Sequence, residues 1–555
     1  MQTPCPWAAV ARAAVLAWAL AAAAAAPAAA VPVPASELPP PIPTKGLDRE
    51  PALAAFLDQL DSGWRSLLLN QRRCEVQARE SDTCDPVRWS QVITEYLSTP
   101  EYVDAVRHRR GKVKSPELAL RLERLWPCMA EAVFEHEPYL HQVGDPLQDS
   151  VVTFRAAVGG VLVSREQARE IMRHDEDRAR RRAAFESVEP LSQKLGPDLR
   201  ELIRRRNLVA QRLGYDGFES LALEGQGLTP RQMEALEDSL DLLTRAPYRE
   251  LCAHIRARLG VFQLHAWDLI YGQGLLDVVA DTLLRGDALS LRLRSFMAGL
   301  GFNPDLLPVR VFYQVNSPYG ARCLPVDPPV DVRLMVSPRD GLNGVLSVFH
   351  EYGCGLQETY LPDPRPSTRA LPEVWTEAVG NLFGGLPVEP GWLTGAADLS
   401  DSAAAATRRR WLASRLLSVR SLLMLSRFER NLYRDPDCNA DSLWRACTEK
   451  YLEVEGPEAS LWASETPILV QPLSYTRHLA AEAVGAQLRA AVHRQCALPE
   501  GACLGKFLEQ EVYRPLAGHS WPEVLRGATG AALGARALAD ELGAAPAPGA
   551  GTRGP

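Results

Sequence analysis

Helical signals dominate the alternation of apolar and polar positions along this chain. Leu236, Leu240 and Leu243 recur three and four apart, the spacing that lines one face of an α-helix. Ser164-Arg165-Glu166-Gln167 and Thr229-Pro230-Arg231-Gln232 each fit a capping box, in which the hydroxyl and the glutamine three residues on satisfy each other's backbone donors. The second adds proline at the first helical position, where its missing N–H costs nothing. One region breaks the pattern. Residues 309–315 (Val-Arg-Val-Phe-Tyr-Gln-Val) are β-rich and partly alternating, and 330–336 are similar after a Pro- and Gly-rich connection. Two short strands ahead of a helix over 341–360 predict a small sheet beside a cleft. The expected fold is mostly α with a minor β-sheet, and no repeat of fixed period is present.

The two ends differ in kind from the middle. Arg12 precedes an Ala-rich apolar stretch over 13–26, and Ala28-Ala29-Ala30 then offers a small-residue cleavage site. Residues 1–30 are therefore expected to be a signal peptide, with a secreted or periplasmic mature protein and no stable membrane insertion. Six prolines between 31 and 45 mark 31–48 as an extended linker. The helical domain is expected over 49–535, and 536–555, rich in Ala, Gly and Pro toward its end, is expected to be a disordered tail.

Composition narrows the partners. A net charge of −7 argues against nucleic-acid binding, which calls for a basic surplus. The basic run Arg173, Arg178, Arg180, Arg181 and Arg182 is interleaved with acids and reads as a solvated helix face. The eleven cysteines become ten once Cys5 leaves with the leader, an even number that permits disulfides in an exported chain. The short-range candidates are Cys74 with Cys84, Cys438 with Cys447, and Cys496 with Cys503.

The candidate chemistry lies in two stretches. On the helix over 341–360, His350 and Cys354 share a face and Glu351 lies one position round. Zinc peptidases use His-Glu-x-x-His in this geometry, two imidazoles on the metal and the glutamate taking a proton from metal-bound water. Here a cysteine stands in the second position. An ordinary amphipathic helix with a satisfied histidine and a buried thiol explains the same residues. Glu377, in Trp375-Thr376-Glu377-Ala378-Val379-Gly380-Asn381, would donate a third ligand from a second helix and leave the fourth position to water.

Together with these two helices, several segments resemble the gluzincin peptidases of the angiotensin-converting-enzyme family and their bacterial oligopeptidase relatives. They include Tyr319-Gly320-Ala321-Arg322-Cys323, Asp331-Val332-Arg333-Leu334-Met335, the run from Arg427 to Pro436, Trp462-Ala463, and Tyr475 through Arg489. The matches follow the family's order from about residue 50 to about 535. The resemblance implies a large two-lobed helical fold with a central channel, and cleavage of short peptides. It assigns His350, Cys354 and Glu377 to zinc, Glu351 as general base, Tyr475 to substrate, and His478 to the place of an oxyanion-donating tyrosine.

Departures from the family pattern cluster at these positions. Cys354 replaces a histidine and is shorter. The Lys and His that grip a substrate's C-terminal carboxylate fall, in one register, on Thr466 and Ile468 and, in the other, on Glu465 and Pro467. Loss of that grip is expected to abolish preference for a free peptide C-terminus. Cys323, which the resemblance places by the same cleft, is a possible disulfide partner for Cys354. Three functions follow: a homologue with weakened or lost hydrolysis that binds short peptides or a protein partner, an active peptidase with a His-Cys-Glu zinc site, or a non-enzymatic structural or carrier protein.

Overall fold

The computed structural model describes residue 34 and residues 36–78, 84–276, 294–302, 307–313, 321–337, 342–395, 397–455, 459–496 and 503–544. The expected signal peptide lies outside them, as do Tyr319 and Gly320. The chain is mostly helical, as expected, with two small sheets. Among the described residues no helix is long and apolar enough to cross a membrane.

Both capping boxes form, opening the helices Arg165–His174 and Pro230–Leu259. Leu236 and Leu240 point into the core and Leu243 packs at its edge. A hairpin that the periodicity did not announce precedes the first of these helices. Strands β1 (Arg155–Val158) and β2 (Val161–Ser164) pair antiparallel across Gly159 and Gly160, whose φ values of +59° and +80° are the left-handed conformations a two-residue hairpin turn needs.

The second sheet is the one expected beside the His350 helix. Its order is β3 (Val309–Tyr313), β5 (Asp331–Val336), β4 (Ala321–Asp327), with β3 parallel and β4 antiparallel to β5. Strand β4 lies inside the segment read as a connection. Pro325 disguised it, yet proline is tolerated on an edge strand, and β4 is an edge with an irregular register between Pro325 and Asp327.

Charged side chains fasten the long helices to each other. On the helix Asp401–Arg434, Arg430 meets Glu219 at 2.6 Å and Arg427 meets Glu237 at 2.7 Å, while Arg420 meets Asp241 at 2.8 Å. Losing one partner of such a buried pair would strand the other, so these pairs are costly to break.

Four expectations need correction. The basic run is not one solvated face, because the chain leaves its helix at Asp175 and starts another at Arg178. Arg181 is buried, with its guanidinium over the Tyr271 ring at 4.0 Å and against Asp268 at 3.3 Å. The linker is pinned where Ile42 and Leu47 are buried and the Ile42 N–H donates to the Tyr102 hydroxyl at 2.8 Å. The fold also runs past 535, since the helix Arg536–Gly543 buries Leu538 and Leu542, four apart on one face. Finally, Cys74–Cys84 and Cys496–Cys503 are disulfides but Cys438 and Cys447 are both free. The helix Ala440–Cys447 between them rises roughly 12 Å, beyond the reach of a disulfide.

Candidate functional site

Three helices stack outward from the sheet: Leu342–Tyr360, then Glu373–Gly384, then Ser474–Gln495. Glycines set their close spacing. A Cβ on Gly353 would fall 2.5 Å from the Phe383 ring, and one on Gly380 would fall 2.4 Å from His350 Nε2. Gly355 turns the opposite face of the first helix to the sheet, where an added Cβ would meet Cys323 Sγ and Val332 at 3.6 Å. The apolar residues Val345, Val348, Phe349 and Tyr352 fill the rest, so the helix is buried almost all round.

His350 projects toward the second helix, as the motif requires. Its Nε2 lies 3.7 Å from Glu377 Oε2, and burial, then the nearby His478, pushes its pKa down to about 4. The ring is therefore neutral at ordinary pH. Among the described residues His350 Nδ1 and Glu377 Oε2 have no hydrogen-bond partner. Burial, with Glu373, Glu351 and Glu482 close by, pushes the Glu377 carboxyl well above the usual carboxylate range. Glu351 accepts the backbone N–H of Cys323 at 2.6 Å from β4, and burial pushes it up to about 7 in spite of that bond.

Cys354 does not join them. Its S–H is directed at the backbone carbonyl of Thr376, 3.7 Å away. Burial, together with Glu351 and Glu377, raises the thiol well above its ordinary value. The Cys323–Cys354 disulfide is also corrected, as both are free cysteines. One residue along a helix is a rotation of about 100°. Cys323 sits over Gly355, while Cys354, a quarter-turn round, is directed at Thr376. Among the described residues no group of three or more His, Cys, Asp or Glu side chains converges on a common point. The donor set is two oriented groups and a thiol engaged elsewhere, and it does not fit a three-ligand catalytic zinc site.

The expected substrate residues lie on a separate feature, a cavity of about 260 Å³. Tyr475 and His478 line it; Ile468 and Thr466 are buried in packing, whereas Glu465 faces the cavity and accepts the Tyr475 hydroxyl at 2.7 Å. His478 Nδ1 donates to the Ser474 carbonyl at 2.6 Å, since a carbonyl only accepts. Its Nε2 lies 3.9 Å from Glu373 Oε1. Asn381, four residues after Glu377, carries the second helix into the same cavity. His350, Glu351, Cys354 and Glu377 line neither this cavity nor a larger one of about 1010 Å³ bordered by Trp126, Glu131 and Arg477.

Sequence reasoning passed over Gly380, whose missing side chain admits the His350 ring, and Asn381. Both stood in the quoted Glu377 segment; the signal was glycine and a polar side chain inside an otherwise apolar helix. No family model matches the chain, and no curated protein matches it significantly.

Proposed function

We propose that this chain is an exported homologue of the angiotensin-converting-enzyme type of zinc metallopeptidase, with hydrolysis weakened or lost. Its retained activity is binding of short peptides, or a segment of a protein partner, beside Tyr475 in a channel between two lobes. The observation that carries this reading is the Cys354 thiol turned onto the Thr376 carbonyl. A hydrolytic zinc site needs three protein ligands and an open position for water. With Cys354 withdrawn, His350 and Glu377 fall one short. Tyr475 and the cavity around it are what a binding function would keep.

The test is turnover of N-blocked fluorogenic tripeptides by the mature protein with zinc supplied. No hydrolysis sensitive to a chelator is expected above the protein-free rate. Chelator-sensitive turnover abolished by Glu351→Gln would instead establish the active peptidase with a His-Cys-Glu site.

A further inference from the structure

Leu473 is held in a conformation that leucine avoids. Its φ of +59° lies in the left-handed region, where an L side chain crowds the following carbonyl. Among the described residues only Asp398 and Glu453 share a positive φ without being glycine, and both are exposed, whereas Leu473 is buried. Such a residue persists only where its surroundings over-determine it, and such residues gather at functional sites. Leu473 immediately precedes the helix Ser474–Gln495, so its backbone sets the direction in which that helix starts.

The restraint comes from a carboxylate that lines neither cavity. Glu429, fully buried on the helix Asp401–Arg434, accepts the Leu473 N–H at 2.7 Å. The residues just before Leu473 are tied in the same manner. The Arg206 guanidinium donates to the Ile468 carbonyl at 2.9 Å and to the Leu469 carbonyl, and Arg477 donates to the Pro472 carbonyl at 2.7 Å. Charged donors and acceptors make the stronger hydrogen bonds, and removing one buried partner strands the other. The tethered segment is a wall common to both cavities: Glu465 and Tyr475 face the smaller, and residues 469–472 face the larger. Tyr475, two residues beyond Leu473, closes the segment by donating to Glu465 at 2.7 Å.

We infer that Glu429 is a positioning residue for the site: by holding Leu473 left-handed it aims the first turn of the helix so that Tyr475 stands on the wall of the smaller cavity. Glu429 reaches no ligand itself and acts through Leu473. A backbone N–H donated to a buried carboxylate offsets the cost of the left-handed turn. Without that acceptor the leucine returns to negative φ, and the start of the helix turns with it. The inference rests on the reading above for what Tyr475 binds, but the placement of Tyr475 needs neither peptide, metal nor hydrolysis.

Fluorine NMR of the mature protein labelled with 3-fluorotyrosine tests it, the Tyr475 resonance being the one lost in Tyr475→Phe. Glu429→Met, similar in volume but without an acceptor, should shift or split that resonance, and Glu429→Gln, whose amide oxygen still accepts, should keep it in place. Leu473→Val leaves Glu429 intact but branches at Cβ, which the left-handed region strongly disfavours, so it should shift the resonance too, while Leu473→Met should not. Glu219→Gln, which breaks a buried pair with Arg430 away from the segment, should leave the resonance unmoved. In calorimetry, Glu429→Met should weaken binding of an N-blocked tripeptide about three- to tenfold, as one misplaced hydrogen bond implies. An unmoved resonance in Glu429→Met, or in Leu473→Val should the first not fold, would overturn the inference, as would an equal shift in Glu219→Gln. The expected shifts in a protein that binds no peptide would uphold the placement and overturn only the peptide reading.

Discussion

The imidazole of His350 occupies the space that a side chain on Gly380 would fill: a Cβ there would stand 2.4 Å from Nε2. The histidine that the sequence marks as a metal ligand is thereby clamped against the helix that carries Glu377. Its position does not depend on a metal to hold it.

Gly380→Ala should therefore destabilise the protein by about 1–3 kcal/mol, the usual cost of overpacking a filled core. Gly395→Ala is the comparison, because nothing lies within 4 Å of a Cβ at that position. It should change stability by no more than about 0.5 kcal/mol. Urea denaturation midpoints of the two variants check this; equal effects would mean the His350 ring yields freely.

Acid should loosen the C-terminal helix Arg536–Gly543. Burial alone would push the Glu541 carboxyl up, but Arg415 and Arg489, at 2.7 and 2.9 Å, outweigh it and hold the pKa at about 2, below the ordinary 4.5. A carboxyl lowered on folding stabilises the fold fully above its unfolded value, and that contribution disappears as pH falls from about 4.5 through about 2. A lowering of this size corresponds to about 3 kcal/mol. Glu541→Gln should be less stable at neutral pH and should lose less stability across that acid range. Urea midpoints as a function of pH measure both; parallel curves for the two proteins would contradict the role given to Glu541.

Cysteine chemistry separates the observed pairing from the pairing expected of the sequence. Alkylation of the unfolded but unreduced mature protein should label six cysteines: Cys128, Cys252, Cys323, Cys354, Cys438 and Cys447. Peptide mapping that found Cys323 joined to Cys354 would contradict the arrangement in which both are free thiols.

What the sequence could reveal depended on distance along the chain. The capping boxes at Ser164 and Thr229 were legible because every atom involved lies within four residues. Strand β4 was hidden, because Pro325 argues against a strand unless the strand is known to be an edge, and edges are a tertiary fact. Arg181 looked solvated because its partner Asp268 lies 87 residues away. The site divides the same way. Helical spacing put His350 and Cys354 on related faces, but only packing reveals that Thr376 meets one and Gly380 the other. That Tyr475 reaches Glu465, ten residues back, is likewise a fact of packing.

The central claim is that Cys354 has left the metal site, and zinc content tests it most directly. The mature protein, equilibrated with excess zinc and freed of loosely bound ion, should carry clearly less than one zinc per chain by elemental analysis. Cys354→His should raise zinc affinity without fully restoring hydrolysis. One zinc per wild-type chain, lost on Cys354→Ala, would contradict the claim and identify a His350, Cys354 and Glu377 centre.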